Sequence, residues 1–192
     1  SNVDINNAMV VFNIRDLEDE LRPVAMYIVL NHIWNKTKSD RKKRNLIIDE
    51  AWQLLKYQDS ANFMFSLAKR ARKYYLGLTT ISQDVEDMMT SQMGRAIVSN
   101  SSMQLLLKQS VSAVDVLGSV FKLTAEERKR LSQFPVGQGL LFAGTNHVQI
   151  QIVSSATEKS LVSTNPEDIK KIEQLVDAVN ENASPHQQGL NP

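Results

Sequence analysis

The sequence predicts an α/β protein with a mainly parallel sheet, flanking helices and a C-terminal antiparallel hairpin. Three short apolar runs, at residues 46–48, 76–81 and 103–107, have the length and composition of buried strands, and helical patterns separate them. Strands that alternate with helices form parallel sheets with helices on both faces. An apolar run at residues 139–143 then precedes alternating apolar and glutamine side chains at residues 148–152, which is typical of a hairpin with one wet face.

The chain is expected to begin with a strand and a long helix. Residues 8–14 (AMVVFNI) form an apolar run rich in β-formers, so we expect a buried strand there. Residues 17–36 place apolar side chains three or four positions apart, which predicts a helix with Pro23 in an early turn or at a kink.

The clearest helical pattern covers residues 60–75. Apolar side chains such as Phe63, Leu67 and Ala71 share one side of this helix, while the four cations of residues 69–73 (KRARK) cover the other. The pattern predicts that the apolar side faces the sheet.

Shorter elements complete the second half of the chain. A short helix is expected near residues 84–89, and Thr124 with Glu127 forms a capping box for a helix that ends near residue 131. Asn165-Pro166 opens a final helix. Residues 1–181 are therefore predicted to be one domain portion, and the polar, breaker-rich residues 182–192 a disordered tail.

Composition excludes several kinds of site. The 192 residues contain no cysteine, which excludes disulfides and thiolate metal sites, and the three histidines are too far apart to show ligand spacing. A formal net charge of +1 predicts no strong bulk attraction to nucleic acid or acidic lipid. No apolar run reaches the ~18–20 residues that a membrane helix needs.

An acidic pair is the most specific local signal. In residues 45–55 (NLIIDEAWQLL), an apolar strand ends at Asp49 and Glu50. In nucleotide hydrolysis the first carboxylate can hold magnesium or one of its waters, and the second can orient or deprotonate the attacking water. The alternative is an acidic helix start, which favours the same residue types.

Glutamines follow the next two predicted strands. Gln83 comes shortly after residues 76–81, and Gln109 shortly after residues 103–107. Ligands of open α/β sheets bind beyond the carboxyl ends of the strands, where a glutamine can contact a γ-phosphate or hold the lytic water. The alternative is an ordinary polar loop residue, but the acidic pair at the preceding strand end favours a site.

The basic run at residues 69–73 allows two explanations. It can be a solvated helix face, or one of its arginines can contact the phosphates of a neighbouring subunit, where guanidinium stabilises a transferring phosphoryl group. The balanced total charge does not favour DNA contact by this face.

Four segments then resemble a known family. In order, NLIIDEAWQLL, FSLAKRARKYYLGLTTISQDVEDMM, IVSNSSMQLLLKQS and FPVGQGLLFAGTNHVQIQI resemble the conjugation and type IV secretion ATPases. These are the TraC-like proteins related to the fourth VirB component, in the HerA–FtsK group of RecA-like motors. The resemblance covers about residues 10–173 and implies the C-terminal portion of a RecA-like ATPase domain.

The resemblance implies roles for individual residues. Asp49 and Glu50 match the Walker B carboxylates, with Asp49 as the magnesium ligand, and Gln83 matches the motif glutamine. Arg70, Arg72 and Lys73 match the basic motif after Walker B, which implies two catalytic arginines and a nucleotide-binding lysine. Gln109 matches a further motif at a strand end, which implies nucleotide binding.

The resemblance also implies an activity and a setting. We expect a cytoplasmic ATPase that uses ATP and Mg²⁺, forms a homo-oligomer of hexamer type, and lies at the inner face of the cell membrane through other secretion components. A phosphate-binding loop of the form GxxxxGK[ST] does not occur in the sequence, so we expect residue 1 to fall after that loop and the isolated chain to be inactive.

Two other functions stay open at this point. One is a DNA-pumping coupling ATPase of the same superfamily. The other is a non-catalytic interaction or oligomerisation module that binds partners through the C-terminal helix and the basic face.

Overall fold

The computed structural model describes residues 7–14, 16–83, 85–144 and 146–155, followed by short stretches at 157–158, 162–163, 165–167, 169–170 and 174. The chain divides into two compact units, residues 1–149 and 150–192. The first unit carries the elements that position the candidate site. No helix among the described residues is both long and apolar enough to cross a membrane.

Six α-helices and five strands occur in the described residues between positions 22 and 151. In order they are α1 (Arg22–Ser39), β1 (Arg44–Ile48), α2 (Gln58–Arg70), β2 (Leu76–Thr80), α3 (Val85–Thr90), α4 (Gln92–Asn100), β3 (Met103–Leu107), α5 (Val111–Val120), α6 (Ala125–Gln133), β4 (Gln138–Ala143) and β5 (Asn146–Gln151). Two 3-10 helices, Ala51–Leu55 and Ala71–Tyr74, follow β1 and α2. The predicted α/β class and the C-terminal hairpin are confirmed.

The strands form two small sheets. β1 and β2 pair in parallel, from Arg44 opposite Leu76 to Ile48 opposite Thr80, as the alternation of strands and helices predicts. The second sheet has the order β3-β4-β5, and β3 runs antiparallel to β4.

The antiparallel pairing of β3 differs from the expected parallel sheet. Two helices, α5 and α6, connect β3 to β4, and the backbone N–H of Gln109 donates to the carbonyl of Leu131 at 3.1 Å. A pair of helices returns the chain to the end at which β3 finishes, so the next strand runs in the opposite direction.

Each sheet covers one core with one of its faces. Leu46, Ile48 and Leu78 turn toward a first cluster built with α1 and α2, in which Leu54 and Leu67 are buried. The opposite face was expected to carry helices as well. Among the described residues it is uncovered, and Ile47 is 64% exposed on it.

The second cluster lies between the second sheet and its two helices. Leu106, Leu140 and Phe142 of the strands pack with Leu117 of α5 and Leu131 of α6. Leu117 and Leu131 have no solvent exposure, so both helices are anchored by packing, on which the valine-rich α5 depends more than α6 does.

Side-chain caps fix the starts of the later helices. The hydroxyls of Ser91 and Ser110 accept hydrogen bonds at the starts of α4 and α5. Thr124 and Glu127 form the predicted capping box of α6, with Thr124 N–H donating to Glu127 Oε2 at 2.8 Å. Pro23 lies in the first turn of α1, as predicted.

Residues 8–14 do not form the buried strand expected of them. Residues 7–14 have no regular structure, and Met9 and Val11 are 80% and 73% exposed. A strand needs a neighbour for its backbone groups, and no described strand lies beside this segment. Only its last residue, Ile14, packs against the first cluster.

Three further elements differ from the expectation or lie mostly outside the described residues. The helix expected over residues 60–75 ends at Arg70 and tightens into the 3-10 helix, because the chain must turn into β2. Helices α4 and α5 were not predicted, since both are short, α4 contains Gly94 and α5 contains four valines. The predicted final helix lies mostly outside the described residues, and the tail at 182–192 entirely, so both stay predictions.

Candidate functional site

The acidic pair occupies a pinned turn at the carboxyl end of β1. Ile81, just after β2, donates its backbone N–H to the carbonyl of Ile48 at 2.8 Å and accepts from the N–H of Ala51 at 3.0 Å. Asp49 and Glu50 lie between these two hydrogen bonds. Their backbone is therefore fixed against the end of β2, at the edge of a sheet where α/β proteins bind ligands.

Glu50 has an unusual backbone and a fixed side chain. Its φ of 51° and ψ of 42° lie in the left-handed region, which costs a residue of this kind roughly 1 kcal/mol. Its Oε2 accepts a short hydrogen bond from the indole Nε1–H of Trp52. The left-handed turn reverses the chain after β1, and the indole holds the half-buried carboxylate in one orientation.

Asp49 is exposed and has one oxygen available. Its Oδ1 accepts from the N–H of Glu50 at 3.0 Å, and Oδ2 has no hydrogen-bond partner among the described residues. No described group of three or more acidic or histidine side chains could hold a metal without help. Magnesium in nucleotide sites uses one or two carboxylates together with phosphate oxygens and waters, so this pair fits Mg²⁺ bound with a nucleotide.

The two predicted glutamines line one cleft. Gln83 follows β2 and Gln109 follows β3, and both border a cleft of about 270 Å³ together with Glu86, Lys108 and Ser110. The N-terminus of α5 forms one wall of it. The cleft thus combines two amides, the cation of Lys108 and the carboxylate of Glu86 at the exits of two strands.

The predicted basic residues lie at the opposite edge. Arg70, Arg72 and Lys73 immediately precede β2, whereas Asp49 and Glu50 follow β1, and the two strands are parallel. Five residues of strand separate the two edges by roughly 15 Å. Within one chain, this basic group therefore does not meet the acidic pair.

The structure thus divides the predicted site residues into groups. Asp49, Glu50 and Gln83 share the carboxyl edge of the parallel sheet, and Gln109 joins Gln83 in the cleft. Two neighbours of these residues were not among the predicted ones. Trp52 holds Glu50, but its role depends on a left-handed turn that no sequence pattern announced, whereas Lys108 could have been found by the strand-end rule that selected Gln109.

A second cleft, of about 210 Å³, lies between α6 and the hairpin. At its border, His147 Nε2 lies 2.5 Å from Glu127 Oε1. The hydrogen bond from the Thr124 backbone, then that from its hydroxyl and the His147 imidazole, lower the pKa of the Glu127 carboxyl. His147 therefore contacts the carboxylate that forms the capping box of α6.

Carboxylates and amides at the carboxyl ends of parallel strands are the arrangement found in α/β nucleotide-binding domains. A sequence model of the TraG P-loop domain matches residues 1–135. The chain belongs to this family.

Individual relatives agree with this assignment. The chain is 33% identical over 112 residues to Protein TraC of Escherichia coli, an alignment that covers 53% of this chain and 13% of TraC. It is 36% identical over 73 residues to the DNA import protein CedB of Sulfolobus acidocaldarius, which covers 36% of this chain and 12% of CedB.

A solved structure supports the fold. VirB4 of Thermoanaerobacter pseudethanolicus superposes with a TM-score of 0.69 at 31% sequence identity, over 75% of this chain and 40% of VirB4. The chain spans less than half the length of that structure and about an eighth of the length of its two curated relatives.

Proposed function

We propose that this chain carries the water-activating half of an ATPase site that powers conjugative transfer or type IV secretion. The observation that carries the proposal is the acidic turn of Asp49 and Glu50, pinned at the carboxyl edge of β1 and β2. Membership of the TraG P-loop domain family and the likeness to VirB4 and TraC support it.

In this proposal the two carboxylates have different tasks. Asp49, whose Oδ2 has no hydrogen-bond partner among the described residues, would hold Mg²⁺ directly or through a water, and the metal would supply neutralisation of charge on the phosphate oxygens. Glu50 accepts a proton from the water that attacks the γ-phosphorus, while the bond to the leaving ADP oxygen breaks. The hydrogen bond from the Trp52 indole holds the Glu50 carboxylate in one orientation.

Gln83 and Gln109 are proposed to contact the nucleotide from the neighbouring strand ends. An amide at such a position can donate to a γ-phosphate oxygen or orient the attacking water. Their shared cleft and the cation of Lys108 inside it support a role in sensing the phosphate.

The basic residues are proposed to act on a second copy. Arg70 and Arg72 would stabilise phosphoryl charge and Lys73 would bind the phosphates of a neighbouring subunit, in a homo-oligomer of hexamer type. Their location at the edge opposite Asp49 supports action between subunits, because within one subunit the basic residues cannot reach the acidic pair.

Partners and location follow from the same proposal. The oligomer would assemble with other secretion components at the inner face of the cell membrane, on the cytoplasmic side. Nothing in the 192 residues matches a phosphate-binding loop, so hydrolysis would depend on a loop supplied by polypeptide outside them, and the 192 residues alone would be inactive.

The test uses a polypeptide that joins these residues to the phosphate-binding loop. Glu50→Gln removes the base but keeps the shape, so ATP turnover should fall by about 10²–10⁴-fold while Mg-ATP binding persists. Steady-state turnover and calorimetry measure the two quantities. Glu126→Gln, on an exposed helix face, is the matched control and should turn over normally. Equal rates in both variants would remove Glu50 from the mechanism.

A further inference from the structure

Two basic segments meet at the amino-terminal edge of the parallel sheet. Residues 36–44 (KTKSDRKKR) contain six cations and lead into β1, and residues 69–73 (KRARK) contain four and lead toward β2. The backbone N–H of Arg44 donates to the carbonyl of Tyr75 at 3.1 Å, which joins the two segments directly. We call this surface, residues 36–44 and 69–75, the basic edge.

An aromatic pair forms a common floor for the basic edge. The rings of Trp34 and Tyr74 pack edge to face with centroids 5.0 Å apart. Lys38 and Arg70, one from each segment, both lie 5.8 Å from the Trp34 ring, and Arg41 lies 6.0 Å from the Tyr74 ring. Cations of both segments are thus anchored on one rigid base.

The positive charge of the basic edge is hardly neutralised. Asp40 is its only carboxylate, and Asp40 pairs with Arg44 at 2.9 Å and with Lys42 at 3.4 Å. The other eight cations have no carboxylate partner among the described residues. The formal charge of the whole chain is only +1, so positive charge is concentrated on this edge, where it creates a local field that attracts anions.

Tyr75 presents an exposed ring at the end of the second basic segment. Its side chain is 58% exposed, although its φ of 57° and ψ of 29° place the backbone in the left-handed region. The backbone is held there by its N–H donating to Arg72 at 3.2 Å and by its carbonyl accepting from Arg44. An aromatic ring on a backbone that is bonded to both basic segments can stack on a base while the cations of those segments contact phosphates.

We propose that the basic edge binds single-stranded nucleic acid, with phosphates on its lysines and arginines and a base on Tyr75. A lipid surface fits less well, because Tyr75 is the only large exposed apolar side chain among the described residues of this edge. The exposed apolar residues of α1 end at Ile28, about 12 Å along the helix from Lys36. Arg70, Arg72 and Lys73 of this edge are also proposed to contact the nucleotide of a neighbouring subunit, so the test changes only residues outside that site, namely Arg41, Lys43 and Tyr75.

The test measures binding of a fluorescent oligothymidylate of about 16 nucleotides to the 192-residue chain by anisotropy, over a series of salt concentrations. Arg41→Ala with Lys43→Ala should weaken binding about fivefold or more and should reduce the slope of log K against log salt by about 1.4, or ~0.7 per phosphate contact. Neither residue belongs to the proposed nucleotide site. Lys129→Ala with Lys170→Ala removes the same charge elsewhere and should leave binding nearly unchanged.

Substitutions of Tyr75 distinguish the contribution of base stacking to binding from that of charge. Tyr75→Leu should weaken binding about fivefold or more, whereas Tyr75→Phe keeps the ring and should bind like the natural chain. The proposal is overturned if the two double variants bind alike, or if Tyr75→Leu binds as well as Tyr75→Phe. It is also overturned if phosphatidylserine vesicles or polyglutamate displace the oligonucleotide at equal charge concentration, because the surface would then be a general anion binder.

Discussion

Glu50 combines a strained backbone, a hydrogen-bonded carboxylate and a position at a strand end. Residues in sparsely populated backbone regions persist only where surrounding contacts enforce them, and such residues concentrate at functional sites. Here the two hydrogen bonds to Ile81 enforce the turn, and Trp52 enforces the side chain. The strain thus has a structural cause and a proposed chemical use.

Trp52→Phe tests that use at the residue scale. The substitution keeps an aromatic ring against the first cluster but removes the indole donor to Glu50. In the complete ATPase we expect kcat to fall about tenfold, the loss of one hydrogen bond to a charged group, with KM for ATP nearly unchanged. Lys56→Met removes the cation 4.4 Å from the same ring and keeps the donor, so it should turn over normally. A lower kcat in Lys56→Met would show that the packing around the Trp52 ring, and not its hydrogen bond to Glu50, affects turnover.

At the scale of elements, tertiary contacts override local propensity. Helix α4 contains Gly94, a poor helix former, yet the helix forms with Ser91 as its cap and Ile97 in the core. The glycine is required because a Cβ there would lie 1.9 Å from the carbonyl oxygen of Met88 in α3. Close approach of two short helices explains the residue.

Helix propensity and packing therefore predict opposite effects of Gly94→Ala on the free energy of unfolding. Helix propensity alone predicts stabilisation by about 1 kcal/mol. The clash with backbone atoms of Met88 predicts destabilisation by about 2 kcal/mol or more. Urea unfolding of the 192-residue chain decides between them. Gly144→Ala, at φ 63° in open space, carries backbone strain alone and should cost only about 1 kcal/mol.

The capping box of α6 makes stability depend on pH. Glu127→Ala removes the acceptor for Thr124 and should destabilise the chain by about 1 kcal/mol near neutral pH. The pKa of Glu127 is lowered in the folded state, so its contribution is complete above the unfolded value of about 4.3 and is lost as pH falls through the lowered folded pKa. Urea midpoints of variant and natural chain should converge at acid pH. The urea midpoint of the exposed Glu126→Ala variant should differ less from that of the natural chain. A difference between Glu127→Ala and the natural chain that grows at acid pH would contradict the role of the Glu127 carboxylate.

At the scale of the whole molecule, each sheet leaves an apolar face uncovered in the described part of the chain. Ile47 of β1 and Met103, Leu105 and Leu107 of β3 are 64%, 64%, 42% and 46% exposed. Exposed apolar side chains on sheets promote association with other chains.

We therefore expect the 192-residue chain to associate as its concentration rises. Ile47→Thr with Leu105→Thr should shift it toward monomer in light scattering coupled to size exclusion, with unfolding free energy changed by only about 0.5 kcal/mol. Val136→Thr replaces a fully exposed apolar residue outside both sheets and should have no effect on association. Unchanged association in the double variant would exclude these faces as its cause.

The sequence by itself determined the α/β class, the hairpin, the capping box of α6 and the presence of Asp49, Glu50 and Gln83 at strand ends. These depend on patterns within a few residues of each other, where periodicity and capping chemistry act. Only the tertiary structure decided that β3 runs antiparallel, that residues 8–14 form no strand, and that Glu50 is held by Trp52. It also joined two basic segments, 25 residues apart from Arg44 to Lys69, into one surface. The reason is physical: pairing direction, strand partners and charge density depend on which distant segments come together, and a local pattern does not contain that information.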